Sequence, residues 1–386
     1  MRATQAHIHL DNLQYNIEVI RKFISPKVKL CIPVKANAYG HGATRVAIAA
    51  IKSGADFLAV ASVSEGIELR ESGIVSPILS LSLPTPDEIP SIIVHSITPL
   101  VFDKDFIIEL GDTAEKMHRT IPVHLKIDTG MGRLGCSYKD AAEIAKLIKS
   151  KKGLFLEGVC THFATSDSLE EDDVIYTKKQ FTNFKTAIDA IKKIGIDPGI
   201  VHCANSGAVL LYPETHFDMV RPGIIVYGYY PDAAAENEKI QKHLEEMKGC
   251  PIPLKPVMEL VTQVVSIKRV SKGDSISYGR TWTADEDTDI ATLPVGYADG
   301  LLRHLSPNLK VMIKGKLYPV VGRICMDQCM VNLGPKHNVE RWDTVTIFGP
   351  QKNSPTAADL ARNLQTIPYE ITCGINKRVP RIFTGL

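Results

Sequence analysis

The stretch PVHLKID, residues 122–128, alternates apolar and polar side chains with the period of a β-strand. Val123, Leu125 and Ile127 share one face, all apolar and suited to packing beneath helices. His124, Lys126 and Asp128 share the other, which is polar. In a closed barrel the two faces of a strand look toward the helices and toward the interior. The stretch KLCIPVK, residues 29–35, has the same form. Leu30, Ile32 and Val34 oppose Cys31, Pro33 and Lys35, so a lysine ends the inward face. Polar endings recur at His162, at His202 with Asn205 and Ser206, and at Arg221. A single strand-end lysine is usually a solvated end. Five strands ending this way mark a site, because barrel active sites lie at the C-terminal ends of the strands.

Working outward, strand candidates end near Val34, Val60, Leu81, Val101, Ile127, His162, Asn205 and Val220. Helical patterns fill most gaps, including residues 43–53, 140–150 and 173–194. This alternation over residues 28–228 predicts a (β/α)8 TIM-like barrel, with a doubly wound open sheet as the alternative. The texture then changes. A polar stretch, 231–256, ends in the proline-rich KGCPIPLKP, and strand-like runs follow at 257–270, 289–295, 309–333 and 343–348, with one helix candidate at 356–364. The expected domains are a barrel over 1–248 and a mostly-β domain over 249–386.

The composition excludes several classes. Among 386 residues, 45 Lys and Arg oppose 43 Asp and Glu, so no net charge argues for nucleic acid or an anionic membrane. No apolar run reaches the roughly 18 residues of a spanning helix, and the first residues lack a signal-peptide pattern. A cytoplasmic protein is expected. The 8 cysteines include no CxxC pair, so no metal site is expected. Gly130, Gly132 and Gly135 form G-x-G-x-x-G, and Glu157 follows about 20 residues later, superficially a dinucleotide fingerprint. The preceding strand carries Lys126 and Asp128 where a Rossmann strand is apolar, and a helix starting at Ser137 or later begins too late to face a pyrophosphate at Gly132.

Taken together, these motifs resemble the alanine racemase family. VKANAYGHG (34–42) looks like its pyridoxal-phosphate lysine motif. The likeness continues through KIDTGMGRLG (126–135), THFATSD (161–167), NSGA (205–208), RPGI (221–224), SYG (277–279), GYADG (296–300), GRICMD (322–327) and YEI (369–371), in the family's order. The resemblance implies a pyridoxal 5'-phosphate barrel enzyme that interconverts L- and D-alanine by a two-base mechanism, supplying D-alanine for peptidoglycan. It also implies a homodimer with shared active sites, in which a first strand near 7–10 can pack with the β domain.

The resemblance assigns Lys35 as the Schiff-base lysine and one catalytic base, and Tyr278 of the partner as the other. Tyr39, Asn205, Ser206, Gly223, Ile224 and Tyr369 would hold the phosphate end of the cofactor. His162 would pack on its ring and Arg221 would meet its nitrogen, supported by His202. Arg133 and Met326 would bind the substrate carboxylate. Lys126, often carbamylated in this family, would orient Arg133, with an Arg133–Asp128 pair as the alternative. Tyr297, Arg303 and Asp327 would line the substrate entrance. A related pyridoxal-phosphate decarboxylase, a broader-specificity racemase, a non-catalytic cofactor carrier and a dinucleotide oxidoreductase are the competing readings. No Gly-Gly pair occurs in the chain, which argues against the decarboxylase.

Overall fold

The computed structural model describes residues 2–231, 242, 244, 245 and 253–385. Eight parallel strands form the barrel of the first sheet: Lys29–Pro33, Phe57–Val60, Ile78–Ser80, Thr98–Val101, Ile121–Asp128, Leu154–Cys160, Ile200–His202 and Met219–Val220, with the two-residue strand Cys136–Ser137 paired to Ile121–Asp128 off that ring. The last pairs with the first through Met219↔Lys29 and Val220↔Leu30. Between the seventh and eighth, the N–H of Asp218 donates to Val201 O at 3.1 Å and that of Arg221 to Ala204 O at 2.9 Å. The ring therefore closes, and the fold is a (β/α)8 barrel rather than an open sheet.

The alternation in the strands sorts side chains as the sequence pattern demands. Leu30, Ile32, Val123, Leu125 and Ile127 are fully buried in the large core that the surrounding helices share. Ala43–Lys52 contributes Val46 and Ala50, Ala141–Ser150 contributes Ile144 and Ile148, and Glu171–Lys193 contributes Phe184 and Ile188. Each such Val, Ile or Phe side chain contributes about 1.5–3 kcal/mol on burial. The opposite faces form a separate, smaller cluster inside the barrel: Cys31, Phe57, Ala59, Leu79, Leu100, Cys160 and Met219.

The second sheet has 9 strands. Its members include Met258–Gln263, Ser266–Val270, Thr288–Leu293, Lys310–Ile313, Lys316–Val321, Cys329–Gly334 and Thr344–Phe348. The chain's first strand, Gln5–His9, lies in this sheet as well, antiparallel to Met258–Gln263 and parallel to Arg381–Thr384. The expected boundary near residue 248 lies outside the described residues. The run at 257–270 is two strands. The run at 309–333 is three, turned first at Lys314 and Gly315, whose positive φ values of 48° and 78° make the two-residue hairpin. A second short helix, Pro368–Cys373, follows Ala357–Leu364. Its six residues are too few to show a helical period. No helix among the described residues is long and apolar enough to cross a membrane.

Candidate active site

Lys35 follows the first barrel strand directly and opens an unusual turn. Ala36, Asn37, Ala38 and Tyr39 all have φ between 52° and 54°, the left-handed helical region. Each costs a non-glycine residue roughly 1–2 kcal/mol, and such strain persists only where the surroundings over-determine it. Within the turn, Ala38 N–H donates to Val34 O at 2.8 Å and Gly40 N–H to Ala36 O at 2.9 Å. Asn37 Oδ1 accepts from Ala43 N–H at 2.8 Å. From outside, Glu65 Oε1 accepts from Ala36 N–H at 2.7 Å. Gly40, at φ 85°, permits the close approach of helix Pro368–Cys373, since any Cβ there would collide with Thr372 O. That helix brings Tyr369 to Tyr39, with ring centroids 5.7 Å apart.

The turn and the strand ends enclose a cavity of about 570 Å³ at the C-terminal mouth of the barrel. Lys35, Tyr39, Lys126, Arg133, His162, Asn205, Ser206, Arg221, Gly223 and Tyr369 line it. His202 and Ile224 are buried and are not among the residues that line it. Burial, followed by the charge of Arg133, lowers the Lys35 pKa below the ordinary lysine value. Burial likewise lowers Lys126, whose Nζ donates to Ile127 O at 3.2 Å. Burial first, and the Arg221 charge second, hold His162 and His202 well below the usual histidine range.

Arg221 is fixed from several sides. Its Nη1 donates to His202 Nδ1 at 2.6 Å, and its Nη2 to Thr161 O at 2.8 Å. Nη2 also lies 3.3 Å from both His162 Nδ1 and Cys203 O. On the neighbouring side, Gly223 N–H donates to Ser206 Oγ at 2.8 Å. Asn205 caps the helix Ser206–Leu211, its Oδ1 accepting from Ala208 N–H at 3.0 Å.

Asp128 does not pair with Arg133. Its Oδ1 accepts instead from the N–H groups of Gly130 and Gly132, at 2.9 and 3.1 Å. The G-x-G-x-x-G segment is a loop that folds back on its own strand, and helix Ala141–Ser150 starts well beyond it. A Cβ at Gly135 would meet Ile127 C at 2.8 Å, so the third glycine serves that fold-back.

Tyr278, Tyr297, Arg303, Met326 and Asp327 do not line the cavity of their own chain. All five are exposed, in loops of the β-rich half. The loops that carry them are bonded to one another. Ser277 Oγ donates to Arg323 O at 2.7 Å, Tyr297 N–H to Cys325 O at 3.1 Å, Ala298 N–H to Met326 O at 3.0 Å, and Ile324 N–H to Ser306 Oγ at 3.0 Å. Glu65 is a participant that the sequence reading missed. Its signal was present as the S-x-x-E capping box at Ser62, which the structure shows starting helix Val63–Glu71.

Barrel, β-rich half and pocket define a class: a two-part (β/α)8-barrel enzyme with a lysine of lowered basicity in the cavity at its strand ends. The alanine racemase N-terminal domain model matches residues 8–231, and the alanine racemase C-terminal domain model matches residues 257–383. The alanine racemase of Treponema denticola is 57% identical, with 99% of this chain and 98% of that protein covered. That of Treponema pallidum is 45% identical, covering 99% of this chain and all of that protein. Among solved structures, the Clostridium difficile alanine racemase superposes with a TM-score of 0.91 at 39% identity, over 100% of this chain and 96% of that one. The chain belongs to the alanine racemase family.

Proposed function

We propose that this protein racemises alanine with pyridoxal 5'-phosphate bound at the barrel mouth, as a homodimer whose sites combine one subunit's barrel with its partner's β domain. The observation that carries this reading is the gathering of Lys35, Arg221 and a small phosphate cradle in one cavity. The cradle fits the cofactor: Ser206 Oγ and the Tyr39 hydroxyl close on Gly223, where a Cβ would sit 2.7 Å from Tyr39 Oη. Only a residue without a side chain leaves that space for a phosphate oxygen. Asn205, Ile224 and Tyr369 complete the phosphate end, and His162 flanks the ring.

When bound, the cofactor supplies an electron sink for the carbanion left by loss of the α-proton. The chain's own residues do the rest. Lys35, with its basicity lowered, has a larger uncharged fraction near neutral pH and can take or return a proton on one face of the α-carbon. Tyr278 from the partner serves the opposite face. Arg221 can only donate hydrogen bonds, so a ring nitrogen in contact with it carries no proton of its own, which restrains side reactions. Arg133 offers a guanidinium fork to the substrate carboxylate, and Met326 of the second subunit offers a backbone N–H. Lys126, its basicity lowered by burial, is the lysine that would be carbamylated and would orient Arg133. Tyr297, Arg303 and Asp327 line the approach.

This reading carries with it domains divided near residue 248, a cytoplasmic location and a supply of D-alanine to peptidoglycan. The test is purified protein with pyridoxal phosphate and L-alanine. D-alanine should accumulate to near equality with L-alanine. Release of carbon dioxide without D-alanine would replace the racemase by a decarboxylase.

A further inference from the structure

Behind Arg221 runs a chain of hydrogen bonds that leads away from the cavity. Arg221 Nη1 meets His202 Nδ1 at 2.6 Å, His202 Nε2 meets His124 Nδ1 at 2.7 Å, and His124 Nε2 meets Glu157 Oε2 at 3.1 Å. Both histidines are fully buried, and the Glu157 side chain is 25% exposed.

The direction of every bond follows from its ends. Guanidinium nitrogens only donate, so His202 Nδ1 must accept. A neutral His202 then carries its proton on Nε2 and donates to His124 Nδ1. His124 in turn carries its proton on Nε2 and donates to the Glu157 carboxylate. A single additional proton breaks the chain. If His124 were charged, its Nδ1–H would require His202 Nε2 to accept, which moves the His202 proton to Nδ1, against the Arg221 N–H. The chain therefore holds together only with both imidazoles neutral, and their burial favours that state.

Backbone features place the far end. Strand Leu154–Cys160 pairs Leu156 with Val123 but Gly158 with His124, so Glu157 is the extra residue of a β-bulge. Bulges re-aim side chains and cluster beside active sites. Gly158 leaves room for the ring, because a Cβ there would lie 2.8 Å from His124 Cε1 and Nδ1.

We propose that Glu157 is a positioning residue: it fixes the tautomers of His124 and His202 and thereby holds the Arg221 guanidinium in place as a donor toward the cavity. Without the carboxylate, His124 is free to place its proton on Nδ1, His202 follows, and an N–H then faces Arg221. The role of Arg221 toward the cofactor rests on the racemase reading; the tautomer chain does not.

The experiment uses full-length protein and two readouts. In cofactor-free protein, ¹⁵N NMR of the imidazoles should show His124 and His202 protonated at Nε2. Glu157→Gln, whose amide oxygen still accepts, should keep that pattern and near-normal turnover. Glu157→Leu should shift both rings toward Nδ1–H. With cofactor and alanine it should lose roughly tenfold in kcat, the lower end of what removing an orienting hydrogen-bond partner costs at comparable metal sites, with little change in KM. If Glu157→Leu does not fold, Glu157→Ala replaces it with the same expectations. Unchanged tautomers in the variant would overturn the chain. Shifted tautomers with unchanged kcat would overturn the positioning of Arg221. Absence of racemisation in wild-type protein would instead overturn the function proposed above.

Discussion

The carboxylate of Glu65 accepts a hydrogen bond from the backbone N–H of Ala36 at 2.7 Å, joining the start of one barrel helix to the left-handed turn behind Lys35. The same side chain accepts from Ala61 N–H at 2.7 Å and Ser62 N–H at 3.3 Å. One ionised group thus satisfies three donors from two strand ends. Hydrogen bonds to a charged group are worth about 1.5–3 kcal/mol each. Glu65→Ala should cost at least about 2 kcal/mol in urea unfolding and lower turnover as the turn relaxes. Glu65→Gln, which keeps one acceptor oxygen, should lie between the two. Wild-type stability and turnover in Glu65→Ala would show that the turn is held without it.

Substitution of Gly223 should act on the cofactor end alone. The added Cβ in Gly223→Ala would press on Tyr39 Oη. Loss of about one good hydrogen bond should weaken pyridoxal-phosphate binding roughly tenfold in a spectroscopic titration. Unaltered affinity would remove Gly223 from the cradle.

Acid should unfold the protein early, and the sign follows from its buried histidines. Burial lowers His41 from 6.5 to about 4 and also lowers His124, His162 and His202. Below pH 6.5 the unfolded chain binds protons that the folded chain refuses, so stability must fall as pH falls. For His41 the loss is fully developed once pH has dropped through about 4. In that window His41 by itself contributes a slope of up to about 1.4 kcal/mol per pH unit, and the other three add to it in the same direction. Unfolding midpoints in urea should therefore decline steadily from pH 6.5 to 4.5. A flat profile over that range would contradict neutral buried imidazoles.

Much of the fold was legible because strand faces differ chemically. Val123, Leu125 and Ile127 against His124, Lys126 and Asp128 is a pattern that a closed barrel satisfies, whereas closure itself is seen only in the pairing of the last strand with the first. The polar strand ends likewise point to the cavity from sequence alone. Other features depend on contacts distant in sequence. Nothing local shows that Gln5–His9 joins the sheet of the chain's second half, since its partners lie more than 240 residues away. Nor does the sequence show that residues 36–39 turn left-handed, because tertiary ties rather than propensity impose that conformation. Glu157 is a residue whose place the sequence does not reveal. Its spacing after three glycines only superficially matches a dinucleotide fingerprint, and the bulge turns it toward His124.

The exposed loops bearing Tyr278 and Met326 predict complementation between subunits. Lys35→Ala and Tyr278→Ala should each be inactive alone. After the two are mixed and allowed to exchange, the hybrid dimer contains one site with both wild-type residues. Activity should return to about a quarter of the wild-type level for random pairing. Exchange demonstrated by mass spectrometry without any activity would exclude a site shared in this way.

The central claim, two bases on opposite faces drawn from two subunits, is tested most directly by isotope exchange in Tyr278→Phe. This change keeps the ring and removes only the ionisable oxygen, and a placed base typically contributes about 10²- to 10⁴-fold. In deuterated water the variant should still exchange the α-hydrogen of D-alanine through Lys35. Exchange of the L-alanine α-hydrogen should nearly cease, and net racemisation should fall with it. Equal exchange rates for the two enantiomers would contradict the two-base account, even if the variant still racemised alanine.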